Sequence, residues 1–224
     1  MGVGNAWGKW GGILDIELKT AQLLVSRICH DLAGGISALS TGAELLAEEG
    51  GMPDDEALDL ISSSARQSTR RLQFLRVAFG QGGGENDNIS LANLRTLTQG
   101  QLEGGRVSLA WEQDDERISI GAGKLLLNLC LIGSEALPRG GVLQVDSGQV
   151  DGRLGFAVLA QGDGARLTPE VQQALSVDVE AHDLTSRTVN AHFTAVLAEK
   201  LAADLEIQTT EGAEVRLAVL FPPS

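Results

Sequence analysis

Residues 20–49 read TAQLLVSRICHDLAGGISALSTGAELLAEE, and the spacing of their apolar and small residues decides the fold of the N-terminal part. These residues recur at alternating steps of four and three, at Ala21, Val25, Ile28, Leu32, Gly35, Leu39, Gly42 and Leu46. Because positions three and four apart lie on one face of an α-helix, the spacing predicts a long helix over about residues 13–49 with a continuous packing seam.

A second segment repeats this spacing after the loop sequence GGMPDD at residues 50–55, with Pro53 near its start, where a missing N–H is harmless. Its seam residues are Leu58, Ile61, Ala65, Ser68, Leu72, Leu75 and Phe79. Two long helices joined by a short loop predict an antiparallel hairpin. A lone hairpin leaves half of its apolar surface uncovered, so we expect a homodimer in which two hairpins form a four-helix bundle.

The sequence GQGGGENDN at residues 80–88 contains no apolar residue and separates the hairpin from the rest of the chain. It predicts four parts: a disordered tail over 1–14, the helical hairpin over 15–80, a linker over 81–89 and a second domain over 90–224. In the second domain, the periodicity predicts helices over 91–102, 124–137 and 183–202, a helix capped by Thr168, and strands over 106–112, 141–150, 153–159, 205–209 and 215–221. This part is therefore predicted to be an α+β sandwich with helices on one face of a mixed sheet.

The charge balance disfavours two classes of partner. With 17 Lys and Arg against 30 Asp and Glu, the net charge is −13, so nucleic acid and anionic lipid would repel the chain. No targeting segment or membrane-spanning stretch is apparent, and we expect a soluble cytoplasmic protein. Cys29, Cys130, His182 and His192 lack metal-ligand spacing, and no metal site is predicted.

His30 is the histidine with an unusual setting. Helical geometry turns it away from the seam, and Arg27, Gly34 and Ser37 lie along the same outward face. An exposed neutral imidazole can attack phosphorus, and the adjacent Asp31 can hold the other ring nitrogen, although a solvated surface histidine has the same spacing. The glycines at 34 and 35 either give clearance to a docking protein or allow close helix packing.

The sequences RICHDL at residues 27–32 and RLQFLRVAFG at residues 71–80 closely resemble the ChpT-like histidine phosphotransferases of alphaproteobacteria. The first is also similar to the H-box of sensor histidine kinases, although Gly35 stands where kinases usually carry Pro. The resemblance implies that His30 accepts a phosphoryl group from one receiver-domain aspartate and passes it to another, with Asp31 orienting the ring. It also implies response-regulator receiver domains and a hybrid histidine kinase as partners, with Mg²⁺ supplied by the receiver and no cofactor bound by this chain.

The second domain resembles the Bergerat ATP-binding domain of histidine kinases, but three of its motifs depart from the kinase pattern. Ile132 stands in place of the asparagine that holds Mg²⁺, and an aliphatic side chain supplies no oxygen ligand. Ala160 stands in place of the aspartate that reads adenine, and VEAHDL at 179–184 replaces the glycine-rich lid. We therefore expect a degenerate Bergerat-type α/β sandwich that binds no ATP.

Arginines form a basic band on this acidic chain. Arg66 and Arg70 on the second helix, together with Arg27, are predicted to dock an acidic receiver domain, or alternatively to form ion pairs within the bundle. The leading hypothesis is a homodimeric histidine phosphotransferase. The alternatives are a divergent histidine kinase, a non-catalytic module that sequesters response regulators, and a dimeric scaffold.

Overall fold

The computed structural model describes residues 8–48, 55–80, 87–112 and 116–223. Helices α1 (Gly8–Glu48) and α2 (Asp55–Ala78) form the predicted antiparallel hairpin. Helix α1 begins within the predicted tail, because extending a helix that has already formed costs little free energy per added residue. Residues 1–7 of the predicted tail lie outside the described ranges, as does most of the predicted linker.

The two neighbouring glycines of α1 have different surroundings. A Cβ added at Gly35 would clash with Ser68 Oγ and lie 3.3 Å from Ser68 Cβ, whereas a Cβ added at Gly34 would meet nothing within 4 Å. A Cβ at Gly42 would lie 2.6 Å from Ile61 Cγ1. Gly35 and Gly42 therefore allow close packing of α1 on α2, and Gly34 leaves an open surface.

The elements of the second domain are β1 (Asn88–Ser90), α3 (Leu91–Leu102), β2 (Val107–Trp111), β3 (Arg117–Ser119), α4 (Ile120–Glu135), β4 (Gly141–Val150), β5 (Arg153–Ala165), α5 (Pro169–Ala174), a 3-10 helix (Ala181–Asp183), α6 (Val189–Lys200), β6 (Asp204–Thr210) and β7 (Gly212–Leu220). Five of the strands form a mixed sheet in the order β2-β4-β5-β7-β6, so β2 and β6 are its edge strands. Strands β2 and β4 are parallel, and the remaining pairs in this sheet are antiparallel. A separate antiparallel pair, β1 and β3, was not predicted, and β1 begins inside the predicted linker.

Helix α4 is the central element of the core. Its residues from Leu125 to Gly133 are all buried, and a Cβ at Gly133 would lie 2.8 Å from Leu143 of β4 and 3.0 Å from Val158 of β5. The missing side chain lets the helix lie close to the sheet. This packing confirms the predicted α/β sandwich, with helices on one face of a mixed sheet.

Several predicted boundaries in this domain were wrong, since α4 begins four residues and β7 three residues before the predicted starts. The helix predicted over 183–202 is interrupted, because the 3-10 helix ends at Asp183 and α6 begins at Val189. Between them the Thr185 N–H donates to Thr188 Oγ at 2.9 Å, and such side-chain acceptors compete with the helical hydrogen-bond ladder. Strand β5 also continues to Ala165, beyond the predicted end at residue 159.

The two domains are joined by side-chain hydrogen bonds as well as by the chain itself. At the end of α2, the carbonyls of Ala78 and Gly80 accept from Asn128 Nδ2 at 2.9 Å and from Lys124 Nζ at 2.7 Å, both on α4. Further along the interface, Gln67 Nε2 donates to the Glu103 carbonyl at 2.9 Å. These bonds fix α4 against the hairpin.

Within the described ranges, no helix has the length and apolar character needed to cross a bilayer.

Candidate functional site

His30 projects from the face of α1 that is turned away from α2, and 87% of its side chain is exposed. This confirms the predicted exposure. Its Nδ1 atom lies 3.4 Å from Asp31 Oδ1. A carboxylate partner at this distance favours the tautomer with the proton on Nδ1, which leaves the Nε2 lone pair on the solvent side of the ring.

Asp31 uses its two carboxylate oxygens for different partners. While Oδ1 faces His30, Oδ2 accepts from Arg27 Nε at 2.9 Å. The Asp31 backbone carbonyl lies 3.5 Å from Arg71 Nη1 of the facing helix. Because only 17% of the Asp31 side chain is exposed, these contacts hold the carboxylate in place beside the histidine.

Arg27 connects this group to the second domain. Its Nη2 atom donates to Glu135 Oε1 at the end of α4, and 15% of its side chain is exposed. Burial opposes the charged form of Arg27, but the carboxylates of Glu135 and Asp31 outweigh it and raise the pKa. The pKa of Glu135, whose side chain is 37% exposed, is also raised, chiefly by desolvation of the carboxylate; Arg27 opposes this rise and Asp31 adds to it. A raised pKa favours the charged form of Arg27 but disfavours the charged form of Glu135. Arg27 has two anionic neighbours, whereas Glu135 shares its cationic neighbour with Asp31.

The structure gathers some of the predicted site residues and separates others. Gly34 and Ser37 lie one and two turns beyond His30 on the same side of α1, and both are exposed. Ser64 and Ser68 of α2 lie next to Gly35 of α1. Arg66 is two residues from each of them, a rotation of about 200°, so its side chain leaves α2 on the side that faces away from α1. Arg70 pairs with Glu103 of the second domain. One chain therefore brings Arg27, His30 and Asp31 together but places Arg66 away from them.

The positions that resemble kinase nucleotide motifs are occupied by packed apolar groups. Ile132 and Ala160 are 2% and 0% exposed and belong to the hydrophobic core. In the adjacent part of β5, a Cβ at Gly162 would clash with the Gly140 carbonyl and lie 3.1 Å from Leu137, so this glycine allows close packing. Nearby, Arg139 and Asp163 form an exposed ion pair at 2.6 Å.

Glu135 is a site residue that the sequence did not predict. It lies 108 residues from Arg27 in the chain, and no periodicity connects the two. The available signal was weak: a carboxylate ends a helix that is otherwise almost entirely apolar.

A solvent-exposed histidine with an acidic neighbour, carried on a helical hairpin that precedes an α/β sandwich, is typical of the phosphotransfer proteins of two-component signalling. Comparison with known proteins agrees. The family model for the histidine phosphotransferase C-terminal domain matches residues 91–213. The protein phosphotransferase ChpT of Brucella abortus (strain 2308) is 34% identical over 193 residues, which cover 86% of this chain and 91% of that protein. The chain belongs to the histidine phosphotransferase family.

A solved structure described as a bacterial phosphotransferase is similar over both domains. It superimposes with a TM-score of 0.78 at 32% sequence identity, and the match covers 90% of this chain and 96% of the other. The arrangement of a helical N-terminal region followed by an α/β domain is therefore shared with that protein.

Proposed function

We propose that this protein relays phosphoryl groups between receiver-domain aspartates through a phosphohistidine at His30, and that it does so as a homodimer without using ATP. The observation that carries the proposal is the geometry of His30. Its side chain is 87% exposed, and Asp31 holds Nδ1, so Nε2 is the ring atom open to an incoming phosphoryl group.

The transfer step follows from this arrangement. The Nε2 lone pair attacks the phosphorus of an aspartyl phosphate, the N–P bond forms, and the P–O bond to the aspartate breaks so that a free carboxylate leaves. The ring becomes an imidazolium, whose Nδ1 proton faces the Asp31 carboxylate, and that charge stabilises it. The reverse sequence passes the group to a second aspartate. Mg²⁺ bound in the acidic pocket of the receiver would supply charge neutralisation for the phosphoryl oxygens.

An uncovered apolar face on the hairpin supports the homodimer. Six large apolar residues in the described part of the hairpin are between 42% and 59% exposed, and all but Leu45 lie on one face: Leu18, Val25 and Ile36 on α1, and Leu58 and Leu72 on α2. Val25, Leu58 and Leu72 were predicted to lie on the packing seams but are exposed. On each helix the five residues follow those that contact the other helix, Gly35 and Gly42 on α1 and Ser64 and Ser68 on α2, by about 80–100° in the direction of winding. Because the two right-handed helices are antiparallel, this rotation brings both strips to the same face of the hairpin. A second hairpin packed there completes a four-helix bundle.

The second domain covers the other face of the hairpin and does not compete with the dimer. Phe74 of α2 is fully buried in the core of the second domain, and Leu23 of α1 packs against the same core. Both lie on the side of the seam opposite the uncovered strips. Each helix can therefore contact its own second domain and a second hairpin at once.

Two packed positions support a phosphotransferase that does not bind nucleotide. Magnesium and adenine require oxygen or other polar groups, but Ile132 and Ala160 place buried aliphatic carbon at the positions that resemble kinase ligands. The second domain then serves as a structural partner of the hairpin. A receiver domain would approach along the His30 face, where Gly34 offers clearance and Ser37 is exposed.

The remaining arginines give mixed support to the docking proposal. Arg27 has two internal partners, which favours a positioning role over docking, and Arg70 is engaged by Glu103. Arg66 is exposed but lies across the hairpin from His30. Receiver contacts by Arg66 would therefore involve a second face of the molecule.

The central experiment is transfer from a phosphorylated receiver domain to the wild-type protein, to His30→Ala and to His182→Ala. His182 is a matched control because it is an exposed histidine outside the site. We expect an acid-labile, base-stable label on wild type and on His182→Ala, and none on His30→Ala. Receiver binding without any label would instead favour a sequestering module.

Calorimetry with ATP and Mg²⁺ tests the nucleotide part of the proposal separately. We expect no heat of binding at micromolar to millimolar nucleotide. Micromolar affinity, together with autophosphorylation of His30, would favour a divergent histidine kinase.

A further inference from the structure

We propose that Glu135 is a positioning residue for the phosphoacceptor, acting on His30 through Arg27 and Asp31; the inference rests on the proposed phosphotransfer function. It gives a residue of the second domain a role in setting the reactivity of the histidine on the hairpin.

The first step of the argument is the division of hydrogen bonds along this chain of side chains. Arg27 uses Nε for Asp31 Oδ2 and Nη2 for Glu135 Oε1. Asp31 is thereby left with Oδ1 for Nδ1 of His30. Each of these three contacts uses a different atom of Arg27 or Asp31. The orientation of the His30 imidazole therefore depends on how the Arg27 guanidinium divides its hydrogen bonds between Asp31 and Glu135.

The second step is that Glu135 prevents a competing arrangement. A guanidinium and a carboxylate favour a two-point contact in which both carboxylate oxygens are used. With Glu135 occupying Nη2, Arg27 makes a one-point contact with Asp31. Without that partner, the guanidinium can turn to take both Asp31 oxygens, which withdraws Oδ1 from His30 and releases the ring.

The third step is the rigidity of the support. Glu135 is the last residue of α4, the helix that Asn128 and Lys124 fasten to the end of α2. The position of its carboxylate relative to α1 is therefore set by packed helices rather than by a loop. Arg27 and Glu135 also line a cavity of about 570 Å³ between the hairpin and the segment that contains α5 and residues 183–188, which leaves room for the guanidinium to turn.

The test compares the wild type with Glu135→Gln, which keeps the shape of the side chain but removes its charge. We expect phosphoryl transfer to His30 to slow by about tenfold to a hundredfold, as misorientation of a reacting group does in other systems. Nitrogen chemical shifts of the His30 ring should show loss of the Nδ1–H tautomer preference. Glu135→Asp should partly restore both the transfer rate and the tautomer preference.

Two further variants keep the test decisive. Asp163→Asn is the matched control, because it removes a carboxylate paired with an arginine elsewhere in the same domain, and it should change none of the readouts. If Glu135→Gln does not fold, Arg27→Lys replaces it, since a lysine keeps the charge but lacks the fork that serves two carboxylates. It should shift the His30 tautomer in the same way.

The outcomes separate this inference from the proposed function. Slower transfer with an unchanged His30 tautomer would show that Glu135 only holds the domains together, and would overturn the positioning role. An unchanged transfer rate would also overturn it. If wild type itself accepts no phosphoryl group, the proposed function fails. The nitrogen shifts of His30 in Glu135→Gln then still decide whether Glu135 orients the ring.

Discussion

The neighbouring glycines of α1 provide a sharp test of the packing argument, because the same substitution at adjacent positions should have opposite effects. In a helix interior, Gly→Ala stabilises by about 1 kcal/mol through backbone entropy. At Gly34 nothing opposes this gain, since an added Cβ meets no atom within 4 Å. Gly34→Ala should therefore raise the free energy of unfolding by about 1 kcal/mol and the melting temperature by about 2–4 °C.

At Gly35 the added methyl group must displace Ser68, whose Oγ it would overlap. Overpacking of this kind costs about 1–3 kcal/mol, so Gly35→Ala should be destabilising by up to about 2 kcal/mol after the helix-propensity gain. Ser68 Oγ is buried without a hydrogen-bond partner among the described residues. Adding Ser68→Ala should consequently restore much of the loss, and the coupling between the two substitutions should be about 0.5–3 kcal/mol.

The assay is urea unfolding of the single and double variants, followed by circular dichroism at one fixed protein concentration because association contributes to stability. Equal stability of Gly34→Ala and Gly35→Ala, or strict additivity with Ser68→Ala, would refute the packing argument. Transfer kinetics of Gly34→Ala add a functional readout. If Gly34 provides clearance for a receiver, the more stable variant should accept phosphate more slowly.

Three more predictions concern the dimer face, the junction and a buried thiol. Val25→Glu should lower the mass measured by light scattering from about twice 23.5 kDa to 23.5 kDa; a wild-type mass of 23.5 kDa would contradict the homodimer. Asn128→Ala should lower the free energy of unfolding by about 1–3 kcal/mol, because the buried Ala78 carbonyl loses its hydrogen-bond donor. The measurement is urea unfolding, and an unchanged urea midpoint would contradict the prediction. Burial raises the pKa of Cys130 to about 12, so a thiol reagent at pH 8 should modify this residue only after denaturation. Peptide mass spectrometry would detect the modification, and rapid labelling of the native protein would contradict the prediction.

Sequence periodicity predicted the elements whose structure is set by local contacts. The hairpin of α1 and α2 follows from steps of three and four residues, and the ends of β4 match the prediction because Asp151 and Gly152 adopt positive φ in the turn to β5. Short or interrupted elements were less visible. Strands β1 and β3 have three residues each, too few to show a period, and the hydroxyls of Thr185 and Thr188 end a helical pattern that apolar spacing alone would continue.

The site was predictable only where its residues are neighbours in sequence. His30 and Asp31 are adjacent, and Arg27 precedes Asp31 by one turn, so one helix predicts their proximity. The contact between Arg27 and Glu135 depends on how α4 is placed against the hairpin, which the junction at the end of α2 determines. Assignment of Arg27 to docking overlooked this partner, because an internal carboxylate distant in sequence leaves no local pattern.

The edge strand β6 has a consequence for the behaviour of the protein at high concentration. An edge strand leaves N–H and C=O groups unpaired along one side, where another sheet can join and start aggregation. In β6 the exposed residues include Glu206, whereas Asp204, whose side chain is 68% exposed, pairs with Arg153 at 2.6 Å. Two such edges would bring the Glu206 carboxylates together, so charge repulsion disfavours growth of the sheet into intermolecular β-structure.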